Sequence, residues 1–325
     1  MGRAQGGQVG LDESLRGSGL TFAVTGATGW LGRAACEVIA RALGPDGADR
    51  LVAFASRERT EPLDSGQALR VRALHDLPDC PADVLLHFAY VTREFAADRG
   101  VEQYVLANLA IAGTVLDFIR ARGPGFVGYA SSGAAAAALA RGGLDIAGDP
   151  YGALKVMDEL ALRRATADAG GRSLVVRVFN VAGPWLTKAA AFALSDIIGQ
   201  VHAGGPVRIR ASHPVVRSYV DVEDLVSVMI AAALDRGGAS DVQVDTAGDV
   251  QVEVGDLADA IRRVLGRPEV AVERQFDPGA QADRYVGMAG QFAALAGGLG
   301  IPLRDLDEQI ARTAQGMGVP VANHT

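Results

Sequence analysis

The chain has 325 residues, is 49% hydrophobic and carries a formal net charge of −7. That length suits one large domain or two fused lobes, and the apolar content excludes a disordered chain. The acidic balance, with no run of Lys or Arg, argues against a nucleic-acid partner but leaves room for an anionic small substrate at a local basic site.

Residues 1–19 are polar and Gly-rich, lack the apolar core of a signal peptide, and read as a mobile leader. Residues 20–25 (LTFAVT) form a short apolar run ended by Gly26, the mark of a buried strand. Residues 29–43 follow with an apolar stripe at helical spacing, and Gly44-Pro45 stops it. Further strands are expected at 50–55, 83–89, 125–130 and 174–179, with helices over 101–122 and from Tyr151 to about 169. No apolar run approaches the ~18 residues of a membrane span, so no membrane is expected as a partner. Cys36 and Cys80 are far apart without metal-ligand spacing. They read as reduced thiols of a cytoplasmic protein, and no metal site is expected.

Apolar strands alternating with amphipathic helices predict an α/β fold, a doubly wound parallel sheet of the Rossmann type. Ligands of such sheets sit beyond the carboxyl ends of the strands. One such end carries TGATGWLG, residues 25–32, with Gly26, Gly29 and Gly32 spaced three apart. Residues without a Cβ allow a tight turn and close approach of a pyrophosphate, and the following helix N-terminus offers N–H groups. The alternative is an ordinary Gly-rich turn. After the second strand a ribose-gripping carboxylate is replaced by Ser56 and Arg57, with Arg59 close by. Ser and Arg can hold a 2′-phosphate, so NADP is favoured and NAD possible. A solvated basic loop is the alternative. After residue 179 the alternation weakens. Residues 20–179 plus about 219–245 are expected to form the NAD(P)-binding domain. About 180–218 plus 246–325 form a smaller C-terminal α/β substrate lobe.

The strand at 125–130 ends in Ser131 and Ser132, and DPYGALK follows at 149–155. Tyr151 and Lys155 are four apart, on one helix face. A nearby ammonium favours a phenolate, which suits Tyr151 to the proton transfer that accompanies hydride transfer. A strand-end hydroxyl can hold the substrate oxygen.

TGATGWLG, YASSGAA, YGALK, RVFNVAGP and VRSYVDVEDL occur in this order. With them the chain, from residue 20 onward, resembles the extended short-chain dehydrogenase/reductase family in its NAD-dependent epimerase/dehydratase, nucleotide-sugar modifying branch. The resemblance implies Tyr151 as catalytic acid/base, Lys155 as its partner and ribose ligand, and Ser132 rather than Ser131 as the working hydroxyl. It implies cofactor contacts from Gly26, Thr28, Gly29, Trp30, Leu31, Ser56, Arg57, Phe88, Ala89, Tyr90, Asn108 and Phe179. It implies substrate contacts from Ser132, Asn180 and Arg217, the last pairing with a diphosphate. For Arg217 the alternative is a salt bridge to Asp221 or Glu223, and for Asn108 an exposed helix position. His87 reads as a satisfied core histidine, and Asp221 and Asp224 as helix-capping carboxylates. Ser132-Gly133-Ala134 stands where the family's 4,6-dehydratases have Thr-Asp-Glu, which disfavours that elimination.

The implied activity is a nucleotide-sugar epimerase working by reversible hydride transfer at a carbinol/keto carbon. A ketoreductase of a nucleotide-linked keto sugar, or of a non-nucleotide carbonyl compound, is the alternative. A non-catalytic NADP-binding sensor fits less well, because Ser132, Tyr151 and Lys155 are all present. The resemblance also implies a homodimer through the helices that carry Asn108 and Tyr151.

Overall fold

A computed structural model describes residues 4–92, 97–187, 192–246 and 251–322. The chain divides into two compact units. The first takes Met1–Val178, Val226–Val244 and Gly298–Ile301, and the second Phe179–Leu225, Asp245–Gly297 and Pro302–Thr325.

In the first unit the strands are β1 (Phe22–Thr25), β2 (Leu51–Ala55), β3 (Arg59–Pro62), β4 (Ala68–Ala73), β5 (Val84–His87), β6 (Phe126–Ser132) and β7 (Arg172–Val178). The sheet runs Asp241–Asp245, β7, β6, β5, β1, β2, β4, β3. From β7 through to β4 neighbours are parallel, and β3 returns antiparallel on β4. β1 and β5 are buried at every position, as strands covered on both faces must be. The helices Trp30–Leu43, Val101–Arg122 and Pro150–Asp168 fall where the apolar periodicity predicts them. Val115, Phe118 and Ile119 of the long helix pack on Leu85, Val127, Tyr129 and Val175 of the sheet. The β3–β4 hairpin was not anticipated. β3 is the exposed edge strand, and β4 inside it alternates buried Leu69 and Val71 with outward Arg70 and Arg72, so neither presents an apolar run.

The first residues correct the expectation of a mobile leader. Ala4–Ser18 is a helix, with Leu11 and Leu15 buried on one face. Arg50 closes its C-terminal end, donating from Nη2 to Leu15 O at 2.9 Å, from Nη1 to Arg16 O at 3.1 Å and from Nε to Leu20 O at 2.9 Å. A guanidinium on the last carbonyls satisfies groups that a helix end leaves open.

In the second unit Val215–Asp221 pairs with Asn180–Ala182, Gln251–Glu253 and Asp283–Tyr285. These pairings place residues 219–225 in the second unit, whereas the sequence suggested a return to the first lobe at 219. A core of Leu194, Ile198, Leu257, Ile261, Ile310 and Ala314 joins the helices Ala193–Ala203, Val254–Val264 and Leu306–Gly316. Asp305 and Glu308 form a reciprocal cap at the start of the last of these.

Candidate active site

Four pieces of the first unit gather at the carboxyl ends of β1, β5 and β6. The first is the glycine turn. Gly26 has φ +70°, and a Cβ there would lie 2.7 Å from Ala89 N and from Phe88 C. A Cβ on Gly32 would lie 2.1 Å from Gly26 O. Neither position accepts a side chain without moving backbone. Gly29 caps the helix Trp30–Leu43 with no side-chain bond, so no side chain of the cap competes for the first helical N–H groups. Thr28, Trp30 and Leu31 lie within this turn and first helical residues.

The second piece is the end of β5. Thr25 Oγ1 accepts from Phe88 N at 3.2 Å and from Ala89 N at 3.3 Å, and pairs with His87 Nδ1 at 2.7 Å. His87 is buried and stacked on Tyr129, with centroids 5.3 Å apart. Burial, aided by the Lys155 charge, lowers its pKa to about 3 and leaves it neutral. Asn108 is buried, not exposed. It accepts from Val91 N at 2.9 Å and donates to Tyr104 O at 3.1 Å, which fixes the chain just after Tyr90.

The third is the end of β6. Strand alternation sends Ser131 and Ser132 to opposite faces. Ser131 bonds Glu159 Oε1 at 2.5 Å, and Glu159 is gripped bidentately by Arg177 at 2.7 and 2.9 Å. Ser132 Oγ accepts from Ala134 N at 3.2 Å, capping the alanine helix Gly133–Ala140.

The fourth is DPYGALK itself. Asp149 is the N-cap of Pro150–Asp168, accepting from Gly152 N at 3.0 Å, and Pro150 opens the helix. A Cβ on Gly152 would lie 2.9 Å from Ala134 O, so this glycine lets the two helices touch. Tyr151 is half-buried, its ring edge-on to Tyr90 at 5.5 Å between centroids. Lys155 is buried. Its Nζ donates to Ala130 O at 3.1 Å and lies 3.9 Å from the centre of the Tyr90 ring and 4.8 Å from that of Tyr129. Burial lowers its pKa to about 8, against the raising effect of Asp158 and Glu159.

Ser56 and Arg57 follow β2 and are exposed. Arg57 has no ion pair among the described residues, whereas Arg59 lies 3.6 Å from Glu61.

In the second unit Phe179 N donates to Thr246 Oγ1 at 3.0 Å, and its ring packs on Tyr285 at 4.8 Å. Asn180 Nδ2 donates to Ser218 O at 3.0 Å and Tyr285 O at 3.2 Å. Arg217 is paired, though not with Asp221 or Glu223. Its Nη2 meets Asp283 Oδ2 at 2.7 Å, and Nη1 donates to Asp283 O at 3.1 Å and Val216 O at 3.0 Å. Among the described residues its Nε–H and one Nη2–H make no hydrogen bond. Asp221 accepts from Glu223 N at 2.8 Å and pairs with Arg312 at 2.9 Å, and Asp224 takes Arg304.

Residues 22–244 match the model of the family described as NAD dependent epimerase/dehydratase. The chain belongs to that family.

This epimerase/dehydratase family member is similar in fold to solved structures. One is the UDP-N-acetylglucosamine 4-epimerase of Methanobrevibacter ruminantium M1 in complex with UDP-N-acetylmuramic acid, with TM-score 0.71 and 16% identity over 92% of this chain and 98% of that one. Another is MoeE5 in complex with UDP-glucose and NAD, with TM-score 0.67 and 20% identity over 92% and 98%. A third is the dTDP-glucose 4,6-dehydratase DesIV of Streptomyces venezuelae, a double mutant with NAD and DAU bound, with TM-score 0.66 and 18% identity over 92% and 97%. At these identities the likeness establishes the fold. No curated protein matches the chain.

The family implies a nicotinamide dinucleotide, and this family member has residues that fit one. Gly26 and Gly32 let the turn close against the backbone of Phe88, Ala89 and Gly26, where a Cβ would collide, and the helix after Gly29 opens without a side-chain cap, leaving its first N–H groups to an anion. Tyr129, Asp158 and Asp283 were not anticipated from the sequence. For Asp158 and Glu159 the available signal was two adjacent carboxylates, three and four residues past Lys155, inside an otherwise apolar helix face. Among the described residues no three His, Cys, Asp or Glu side chains are grouped to hold a metal ion.

Proposed function

We propose that the protein is a nucleotide-sugar epimerase, inverting one sugar carbinol carbon by reversible hydride transfer: the hydride leaves, a keto group stands at that carbon, and the hydride returns to its opposite face. The observation that carries this reading is the gathering of Ser132, Tyr151 and Lys155 beside the glycine turn in one unit. Support also comes from similar folds that hold UDP-sugars. The dinucleotide, when bound, supplies the hydride acceptor and donor. Tyr151 Oη takes the proton from the carbinol oxygen and returns it on reduction. Ser132 Oγ donates to that same oxygen. Lys155 keeps two N–H groups beyond its bond to Ala130 O, and its charge favours the Tyr151 phenolate. Arg217, oriented by Asp283, offers its remaining N–H pair to a phosphate.

A second reading, an NADPH-dependent ketoreductase, draws on Arg57. This cation, without an ion pair among the described residues, stands where a carboxylate would favour NAD, and NADP is accordingly our choice of cofactor. Mass spectrometry of the purified protein tests both. A retained dinucleotide and interconversion of a UDP-sugar, without net consumption of NADPH, are expected. Stoichiometric NADPH consumption on a keto sugar would move the assignment to the reductase, and retained NAD would overturn the NADP choice. Tyr151→Phe is expected to lose turnover by about 10²–10⁴-fold while still holding dinucleotide. Full turnover in that variant would sink the catalytic assignment.

We further propose a homodimer. Val101–Arg122 and Pro150–Asp168 pack together, yet Leu106 and Leu109 on the first are 52% and 41% exposed and Leu160 on the second is 61% exposed. The first helix is also long and apolar enough by length and composition to cross a membrane, contrary to the sequence-based expectation. Asn108, Thr114, Asp117 and Arg120 interrupt it, so no uninterrupted apolar run announces it. Asp117 and Arg120 on this helix, exposed and paired with each other, favour a second copy over lipid as the cover.

A further inference from the structure

We propose that Asp158 is the buried counter-charge of the Lys155 ammonium, acting through the ring and hydroxyl of Tyr129, and is thus a positioning residue for the proton-transfer pair. The proposal rests on the assignment of Lys155 above and adds what keeps that lysine charged. Lys155 is 4% exposed, and its described hydrogen bond goes to a carbonyl, not to a carboxylate. An ammonium in that setting needs a negative partner.

Two carboxylates stand near it on the same helix. Glu159 is committed elsewhere: Arg177 of β7 holds both its oxygens, and Ser131 of β6 holds one of them. Asp158 has no cation within ion-pair distance among the described residues. It is 7% exposed, and its one described side-chain hydrogen bond comes from Tyr129 Oη at 3.0 Å. The Tyr129 ring is the surface over which the Lys155 Nζ sits. A phenol whose hydroxyl donates to a carboxylate has a more electron-rich ring, and an electron-rich face holds a cation more strongly. The chain Asp158–Tyr129–Lys155 therefore carries the carboxylate's charge to the ammonium without direct contact. Tyr90 supplies the second ring, and Tyr104 of the long helix packs against it.

The other ionisable groups here are accounted for. His87, stacked on Tyr129, is neutral, and the Glu159 charge is balanced by Arg177. Tyr151 is the group the ammonium serves. Burial raises Asp158 to about 6 and lowers Lys155 to about 8, so the two are charged together between those values. Above that window the ammonium is lost, and the loss comes earlier if its counter-charge is removed.

Lys155 and Lys188 are the two lysines of the sequence. Protein labelled with [ε-¹³C]lysine thus gives two Cε resonances, and Lys188→Arg leaves only that of Lys155. Its titration in the full chain reads the Lys155 charge without any substrate. In Asp158→Asn the midpoint is expected to fall by about one pH unit, a tenfold loss of proton affinity, and in Tyr129→Phe to fall in the same direction. The alkaline limb of any turnover profile moves with it. Unmoved Lys155 midpoints in both variants, each still melting cooperatively, would overturn the proposal. Failure to find epimerase or reductase turnover would leave this titration standing, so the two readings fail separately.

Discussion

Ser131 and Ser132 are adjacent hydroxyls with opposite duties. Ser131 is locked into Glu159 and, through it, Arg177. Ser132 accepts from Ala134 N to cap an alanine helix and, by strand alternation, lies on the face of β6 opposite Ser131. Ser131→Ala should cost about 1–3 kcal/mol of stability, the usual loss from a broken buried hydrogen bond, with turnover retained. Ser132→Ala should keep most of its stability and lose turnover by an order of magnitude or more. Chemical melts with parallel activity assays separate them, and the opposite pattern would exchange the two roles. The residues of the candidate site that were legible in sequence are those whose geometry is local. Tyr151 and Lys155 share one helix face, and Gly26, Gly29 and Gly32 belong to one turn. Tyr129 and Asp158 were not legible, because 29 positions separate them and only the packing of helix on strand brings them together. Asp283 likewise reaches Arg217 across 66 positions, through a pairing of two short strands that no pattern foretells.

Among the elements, the buried strands and long helices announce themselves through apolar runs and periodicity. Those signals placed the strands of the first unit's core and three of its helices. The elements that escaped are those in which burial is sparse. β3 is a charged edge strand, β4 beside it buries only Leu69 and Val71 among its arginines, and the helix Ala4–Ser18 shows its apolar side only through Leu11 and Leu15, one turn apart in a Gly-rich stretch. Leu15 is 1% exposed, so the helix contributes to the core. Leu15→Ala should lower stability by about 2–5 kcal/mol, as emptying a buried leucine site does. Calorimetry that found the variant as stable as the parent would return this segment to a dangling leader.

At the scale of the whole molecule, the chain crosses between its two units more than once, and the alternation of strand and helix fades after residue 179. The boundaries of the second unit were not legible, because short strands of two or three residues carry too few side chains for a period to be read. Assembly follows from the open leucines on the two packed helices. Leu109→Glu combined with Leu160→Glu should turn a dimer into a monomer by light scattering, with the fold intact by circular dichroism. A monomeric parent protein would defeat the dimer, and co-flotation of the parent with lipid vesicles would put a bilayer on that face instead.

The fork from Arg177 to Glu159 has a consequence for how the protein can change. It grips the helix Pro150–Asp168 on the side that faces the sheet, four residues beyond Lys155 and eight beyond Tyr151. A helix is stiff over two turns, so fixing its roll at Glu159 also aims Tyr151. The aim is set from behind, by groups that no substrate need touch. The alanine helix after Ser132 belongs to that same support, because Ala135 and Ala138 are buried against Val156, so new substrate shapes must come from side chains outside both contacts while the catalytic pair keeps its bearing.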